Sequence, residues 1–198
     1  MDLTVLIDPK LDLPRLSQVL DEMGHAGRVH TIRGWGKQKQ AKIFEAASGF
    51  KKIGLDHFVP ASVGPLVEVV HELHNTLPLF SNSQKRFCKP GGREGEGQPN
   101  ELWGYNHQSI SGVIGPGYFL TRPSETDGEV VFDYRQVPPD RVPSWPPILS
   151  NTERLGRFVY AGMMDYVRGI SNHISIGRAE KGRKMLDAWF VLCRQDPG

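Results

Sequence analysis

Near the start of the chain, hydrophobic residues recur at steps of three and four, the spacing of one face of an α-helix. The stretch DLPRLSQVLDEMGH shows this first, with Asp12 placed to cap a helix, Pro14 in its first turn and Gly24 at its end. A second helix is predicted through WGKQKQAKIFEAA. A third is predicted through VGPLVEVVHELHN, although its valines also suit a strand.

From Glu101 the pattern becomes typical of strands. ELWGYNHQSISGVI and YFLTRP flank the turn sequence GPGY, and the turn ETDGE precedes EVVFDYRQV, which together predict a meander of three antiparallel strands. Five prolines between positions 138 and 147 then end the sheet. Ser150 and Glu153 match a capping box, and the run after them predicts a long helix over 152–171. HISIGRAEKGRKMLDAWFVLCR predicts a final hairpin.

This order of elements predicts a single α+β domain over residues 1–198. We expect one antiparallel sheet of about five strands, with N-terminal helices and a long C-terminal helix packed on it. Residues 89–100 contain PGGREGEGQPN, which is rich in glycine and charge and has no apolar residue. We expect them to form a mobile surface loop within the domain.

Composition supports an ordinary globular protein, since 38% of the residues are hydrophobic and 23% are charged. No apolar run approaches the roughly 18 residues of a membrane-spanning helix, and the N-terminus has no basic region before an apolar stretch. We therefore expect a cytoplasmic protein that makes no membrane contact. Its two cysteines are expected to be free thiols. The sequence does not define an oligomeric state.

The predicted strand from Glu101 has a polar middle that suits neither a buried nor a half-buried strand. Small residues there leave room, aromatic rings supply walls, and a few polar groups can orient a ligand. This pattern indicates a cavity between the sheet and the C-terminal helix for a small organic ligand, aromatic or amphipathic and anionic. An edge strand whose polar face meets water is the alternative. The predicted ligand-binding residues are Trp103, Tyr105, His107, Tyr118, His173 and Arg178.

A second interpretation is an enzyme of the transferase or hydrolase class. Cys88 lies among basic residues in KRFCKP, which would favour a thiolate nucleophile if His107 lay nearby as a base. Asp133 is a candidate to orient that histidine. No known motif spacing supports this set, and the sequence lacks both the dinucleotide glycine motif and the phosphate-binding loop. The sequence therefore identifies no cofactor.

Two further patterns are weaker. Glu68, His71 and His74 share one face of the predicted third helix, but three side chains without a supporting shell do not predict a metal site. The stretch from Arg28 to Lys42 contains five basic residues and no acidic one. An interaction module docking on nucleic acid or an acidic protein through this stretch is the third interpretation, although the net charge of +2 does not require an anionic partner.

Overall fold

The structure is a computed structural model that describes residues 3–77, 81–91, 100–108, 115–153 and 159–196. Its main element is a closed barrel of eight strands, in which each strand pairs antiparallel with the next and the last pairs with the first. The strands are β1 Val69–Asn75, β2 Asn82–Cys88, β3 Leu102–His107, β4 Tyr118–Pro123, β5 Val130–Asp133, β6 Met163–Gly169, β7 Ile174–Lys181 and β8 Lys184–Arg194.

The predicted α+β fold with a five-stranded sheet is therefore wrong. Two segments predicted to be helical are strands: β1 lies in the predicted third helix and β6 in the predicted helix over 152–171. Both segments contain valine and other residues whose spacing fits a strand as well as a helix, so the pattern alone does not distinguish the two. Glu153 donates its backbone N–H to the Ser150 carbonyl in a turn, so no long C-terminal helix begins there. Residues 154–158 lie outside the described residues.

Three short helices precede the barrel: α1 Leu13–Glu22, α2 His25–Arg33 and α3 Lys37–Ala46. The predicted first helix is confirmed, with the Asp12 carboxylate accepting a hydrogen bond of 3.0 Å from the Arg15 backbone N–H. The predicted second helix corresponds to α3, whereas α2 was not predicted because its apolar residues do not form a stripe. Within the described residues, no helix is both long and apolar enough to span a membrane.

The helices cover the outer face of β7 and β8. Side chains that point outward from these strands join the buried faces of the helices in one hydrophobic core, which removes that side of the barrel from water. Its buried members include Leu16, Leu20, Ile32, Ile43, Phe44, Ile174, Ile176, Trp189 and Val191.

The predicted meander and final hairpin are confirmed as β3–β5 and β7–β8, although residues 109–114 of the predicted first strand lie outside the described residues. The proline-rich segment 137–148 crosses the outer face of β2–β4 without forming helix or strand. Its Val142 and Trp145 are buried against outward side chains of those strands. Most of the predicted surface loop, residues 92–99, also lies outside the described residues.

One end of the barrel is filled by side chains. Residues 51–63 pass across this end and insert Phe58, which is fully buried. The ring centroid of Phe58 lies 5.3 Å from that of Phe87 and 5.2 Å from that of Phe132. The backbone N–H of Ile53 donates to the carbonyl of Gly128, which holds the crossing segment against the β4–β5 turn. The barrel is therefore closed at this end.

Candidate functional site

The opposite end of the barrel contains a cavity of about 540 Å³. This volume lies within the usual range for small-molecule sites, roughly 300–1,000 Å³. Two exposed residues, Leu77 and Val159, lie at its rim, so the cavity opens to solvent there. The walls are mainly apolar and include Leu73, Tyr134, Tyr160, Met163, Ala179, Leu186, Ala188 and Phe190.

A buried charged pair forms the floor of the cavity. The Lys85 ammonium lies 3.4 Å from a carboxylate oxygen of Asp165, and each side chain is only 4% exposed. The ammonium also donates a hydrogen bond of 2.8 Å to the Asn106 side-chain oxygen and a further one to the Tyr134 hydroxyl. Its three N–H groups therefore each have an acceptor, as a buried ammonium requires.

Aromatic rings surround this ammonium as well. Its nitrogen lies 4.8 Å from the ring centroid of Phe119 and 5.1 Å from that of Phe190, with Phe132 and Tyr134 at similar distances. Ring faces attract cations, and the attraction grows where water is excluded. The rings and Asp165 together offset part of the cost of burying the charge.

Burial moves the pKa values of both members of the pair toward their neutral forms. Desolvation lowers the pKa of Lys85, and the attraction to Asp165 opposes this shift. Desolvation likewise raises the pKa of Asp165, while Lys85 and the hydrogen bond from Tyr134 oppose it. The ammonium can thus give up a proton more readily than a lysine in water, and the carboxylate is a better acceptor for it.

A second polar group lies between the floor and the rim. The Tyr160 ring stacks on that of Tyr134 at 5.5 Å between centroids and 10° between planes. The Gln108 side-chain amide donates a hydrogen bond to the Tyr160 hydroxyl. Because that hydroxyl accepts from Gln108, its own proton is left to donate into the cavity.

The alternation of side chains along the strands places these residues. On β2, Ser83, Lys85 and Phe87 all point inward, since successive side chains of a strand face opposite sides. Lys85 is directly opposite Asn106 on β3, which explains their hydrogen bond. On β6, Asp165 points inward at the level of Phe132.

The predicted ligand-binding residues do not line this cavity. Trp103, Tyr105 and Tyr118 point out of the barrel and are buried beneath the proline-rich segment, where the Tyr118 hydroxyl donates to the Pro146 carbonyl at 2.6 Å. His107 lies beside Tyr105, with 3.2 Å between its Nδ1 and the tyrosine oxygen. These side chains form a common cluster, and a ligand role for them stays a prediction.

The other two residues of that predicted set lie elsewhere. Arg178 points outward from β7, where its guanidinium lies 5.0 Å from the Trp189 ring and 3.6 Å from Glu45. His173 lies at the closed end, with its Nδ1 3.2 Å from Asp196. The structure does not bring either residue to the cavity or to the Tyr105 cluster.

The candidate catalytic residues are also separated. Cys88 pairs with Trp103 and His107 with Gln84, so the thiol and the imidazole lie at opposite ends of the β2–β3 pair. Burial, with the nearby carboxylates Glu68 and Asp140, raises the pKa of Cys88 to about 12. Burial opposes ionisation of Asp133, but hydrogen bonds from Arg135 lower its pKa overall. Among the described residues, His107 is therefore not placed to act as a base for Cys88, and the raised pKa keeps the thiol protonated.

The candidate metal ligands do not meet. Because this segment is a strand, His71 points into the barrel, whereas His74 points outward and hydrogen-bonds Asn82 at 2.9 Å. Glu68 binds Arg86 and the indole N–H of Trp145. Across the described ranges, no cluster of three or more histidine, cysteine or acidic side chains is suited to hold a metal.

The basic stretch from Arg28 to Lys42 spans α2 and α3, and much of its charge is already paired. Arg28 is buried and binds the Met23 carbonyl and Asp196. Lys37 and Lys42 pair with acidic side chains, and Lys42 also donates to two backbone carbonyls. Docking through this surface stays a prediction.

Reasoning from the sequence missed Lys85, Asp165, Tyr134 and Tyr160. A signal was present, because Lys85 and Asp165 are single charges at positions where strand alternation puts the side chain on the apolar face. Because β6 was predicted to be a helix, the inward position of Asp165 was not recognised. Tyr134 directly follows β5 and shares the inward face of Phe132, as the alternation of side chains along the strand requires.

No protein-family model matches the chain, and comparisons with curated proteins and with solved structures also yield no significant match. The class of protein is therefore defined by the fold and the cavity alone: an up-and-down antiparallel β-barrel, closed at one end and hollow at the other. Barrels of this size have an interior just wide enough for packed side chains or for one small ligand.

Proposed function

We propose that the protein binds a small, mainly apolar molecule inside the barrel. The observation that carries this proposal is the cavity itself, which has aromatic and aliphatic walls and a few polar groups at its floor. Cavities of this composition bind ligands by burying apolar area, and their polar groups fix the orientation. The ligand enters between Leu77 and Val159, and its polar group points toward Lys85.

The charge of the floor decides which polar group fits. Asp165 already compensates the charge of Lys85, and the ammonium donates to three protein acceptors. A carboxylate ligand would add an uncompensated buried charge, which is costly. A neutral carbonyl or hydroxyl instead accepts a hydrogen bond from Tyr160. We therefore propose a neutral, amphipathic ligand in place of the anion expected from the sequence.

A blocked cavity tests the proposal. Nile red is a neutral dye that fluoresces in apolar sites, and we expect it to bind the full chain with saturable enhancement. Ala188 faces the cavity, so Ala188→Trp should fill the upper cavity and weaken dye affinity at least about ten-fold, or 1.4 kcal/mol. The adjacent Asp187 points to solvent on the same strand, so Asp187→Trp is the matched control. Equal affinity of the two variants would refute binding inside the barrel.

A further inference from the structure

A primary amine stands at the floor of a cavity whose walls are mainly apolar. The Lys85 side chain is 4% exposed, and the surface that it does present lines the cavity. The other lysine along the cavity, Lys181, lies at the end of β7 near the rim. A molecule held in the cavity therefore meets one amine at its inner end.

The groups around this amine match those needed for a reaction between an amine and a carbonyl. Asp165 is 3.4 Å from the ammonium and can take its proton. The hydroxyl of Tyr134 contacts the same nitrogen and can donate to a carbonyl oxygen that arrives there, while the Asn106 side-chain oxygen accepts from the amine and holds it in place. Desolvation lowers the pKa of Lys85, which increases the share of neutral, nucleophilic amine.

We propose that Lys85 forms an imine with an aldehyde bound in the cavity, an inference that rests on the proposed binding of a neutral apolar molecule there. The ammonium passes a proton to Asp165, and the amine attacks the carbonyl carbon to form a C–N bond as the C=O π bond breaks. Asp165 gives its proton to the resulting alkoxide and takes one from the attacking nitrogen, which gives a neutral carbinolamine. Asp165 then protonates the hydroxyl, which leaves as water as the nitrogen lone pair forms the C=N bond of a protonated imine. One ammonium and one aldehyde give one iminium and one water, so no further reactant is needed.

The product keeps the electrostatics of the floor. The iminium carries the same single positive charge beside Asp165 and within the same rings. It keeps one N–H, which pairs with the carboxylate as its counter-ion. The Tyr134 hydroxyl donates to the Asn106 side-chain oxygen at 3.4 Å, so this oxygen keeps a donor when the nitrogen no longer donates to it. A ligand with an alkyl or conjugated chain then fills the apolar walls above.

The test is reductive trapping on the full chain. The protein is incubated with decanal and sodium cyanoborohydride, which reduces an imine to a stable amine, and then analysed by intact mass and peptide mapping. We expect one decyl group, mapped to Lys85. Because burial lowers the pKa of Lys85, a larger share of its amine is neutral than in a surface lysine, so Lys85 should be modified faster than the surface lysines.

Variants and a matched ligand separate the two proposals. Lys85→Arg keeps the charge and Lys85→Met keeps the length, and both should lose the adduct. Lys184 is exposed and does not line the cavity, so Lys184→Arg should retain the adduct. Decanol, which forms no imine, should displace Nile red from the unmodified protein. If decanol displaces the dye but decanal leaves Lys85 unmodified, or modifies surface lysines equally, the imine is refuted and binding stands. If neither compound displaces the dye, the binding proposal fails, and the imine with it.

Discussion

Removing the carboxylate beneath the cavity gives the sharpest test of how the floor is built. Asp165→Asn preserves the size of the side chain but leaves the Lys85 ammonium without a counter-ion. Both side chains are 4% exposed, so water solvates the unpaired ammonium only in part. Removing one member of a buried pair costs about 3–5 kcal/mol. Since a domain of this kind has a total stability of roughly 5–15 kcal/mol, the variant should fold with a sharply lowered midpoint.

The pH dependence identifies the cause. In Asp165→Asn, burial depresses the pKa of Lys85 with no carboxylate to oppose it. Between that depressed pKa and about 10.4, the unfolded chain holds a proton that the folded chain releases. Stability of the variant relative to the parent should therefore rise as pH increases through this window, by up to about 1.4 kcal/mol per pH unit.

The assay is urea unfolding followed by tryptophan fluorescence, at several pH values from neutral to alkaline. Lys85→Met/Asp165→Leu removes both charges, and it should recover most of the lost stability because no uncompensated charge remains. A loss that does not change with pH, or a double variant that is as unstable as Asp165→Asn, would show that packing rather than charge explains the effect.

Three further predictions address the rest of the barrel. Gly177→Ala should destabilise by about 1–3 kcal/mol in urea unfolding, since its Cβ would lie 2.2 Å from the ring of Phe190, whereas the exposed Gly64→Ala should be close to neutral. Burial lowers the pKa of His71 to about 3. Below about pH 6.5 the unfolded chain therefore binds a proton that the folded chain does not, and the free energy of unfolding decreases as the pH is lowered. His71→Leu should make the free energy of unfolding depend less steeply on pH between pH 6.5 and 4, and an unchanged dependence would contradict the inference that His71 is neutral in the folded protein. Cys88 should react with iodoacetamide far more slowly in the native protein than after unfolding, because it is fully buried; equal rates would contradict its burial.

Turn chemistry made the middle of the barrel predictable. GPGY and ETDGE lie between segments rich in aromatic and β-branched residues, so the β3–β5 meander followed from local sequence. The first and sixth strands did not, because an inward histidine in VVHELHN and an inward aspartate in MMDYVRG break the apolar alternation of a strand. Local sequence does not predict the closure of the barrel either, since closure depends on the pairing of β1 with β8, which are far apart in the chain.

The same limit explains why the predicted ligand-binding residues on β3 and β4 lie on the outer face of the sheet and not in this cavity. Aromatic residues on β3 and β4 were expected to line a cavity, and they do form a cluster, but a barrel has two buried surfaces. Trp103 and Tyr118 fill the outer one, beneath the proline-rich segment. No local sequence pattern predicts that residues 137–148 cover that outer face. The alternation of side chains therefore did not show which face of the sheet is inside the barrel and which is outside.

The cavity itself follows from how side-chain size is distributed along the barrel axis. At the closed end, the inward positions carry large rings, including Phe87 and Phe132, and these pack on Phe58. Toward the open end, inward positions on neighbouring strands carry Ala179 and Ala188. Rings at every inward position would fill a barrel of eight strands. Small residues at one end, with a charged pair at the boundary between the two regions, leave a space whose depth is set by that pair. In the proposed binding mode, these polar groups set how far a ligand enters, so the proposed chemistry lies at the floor of the cavity.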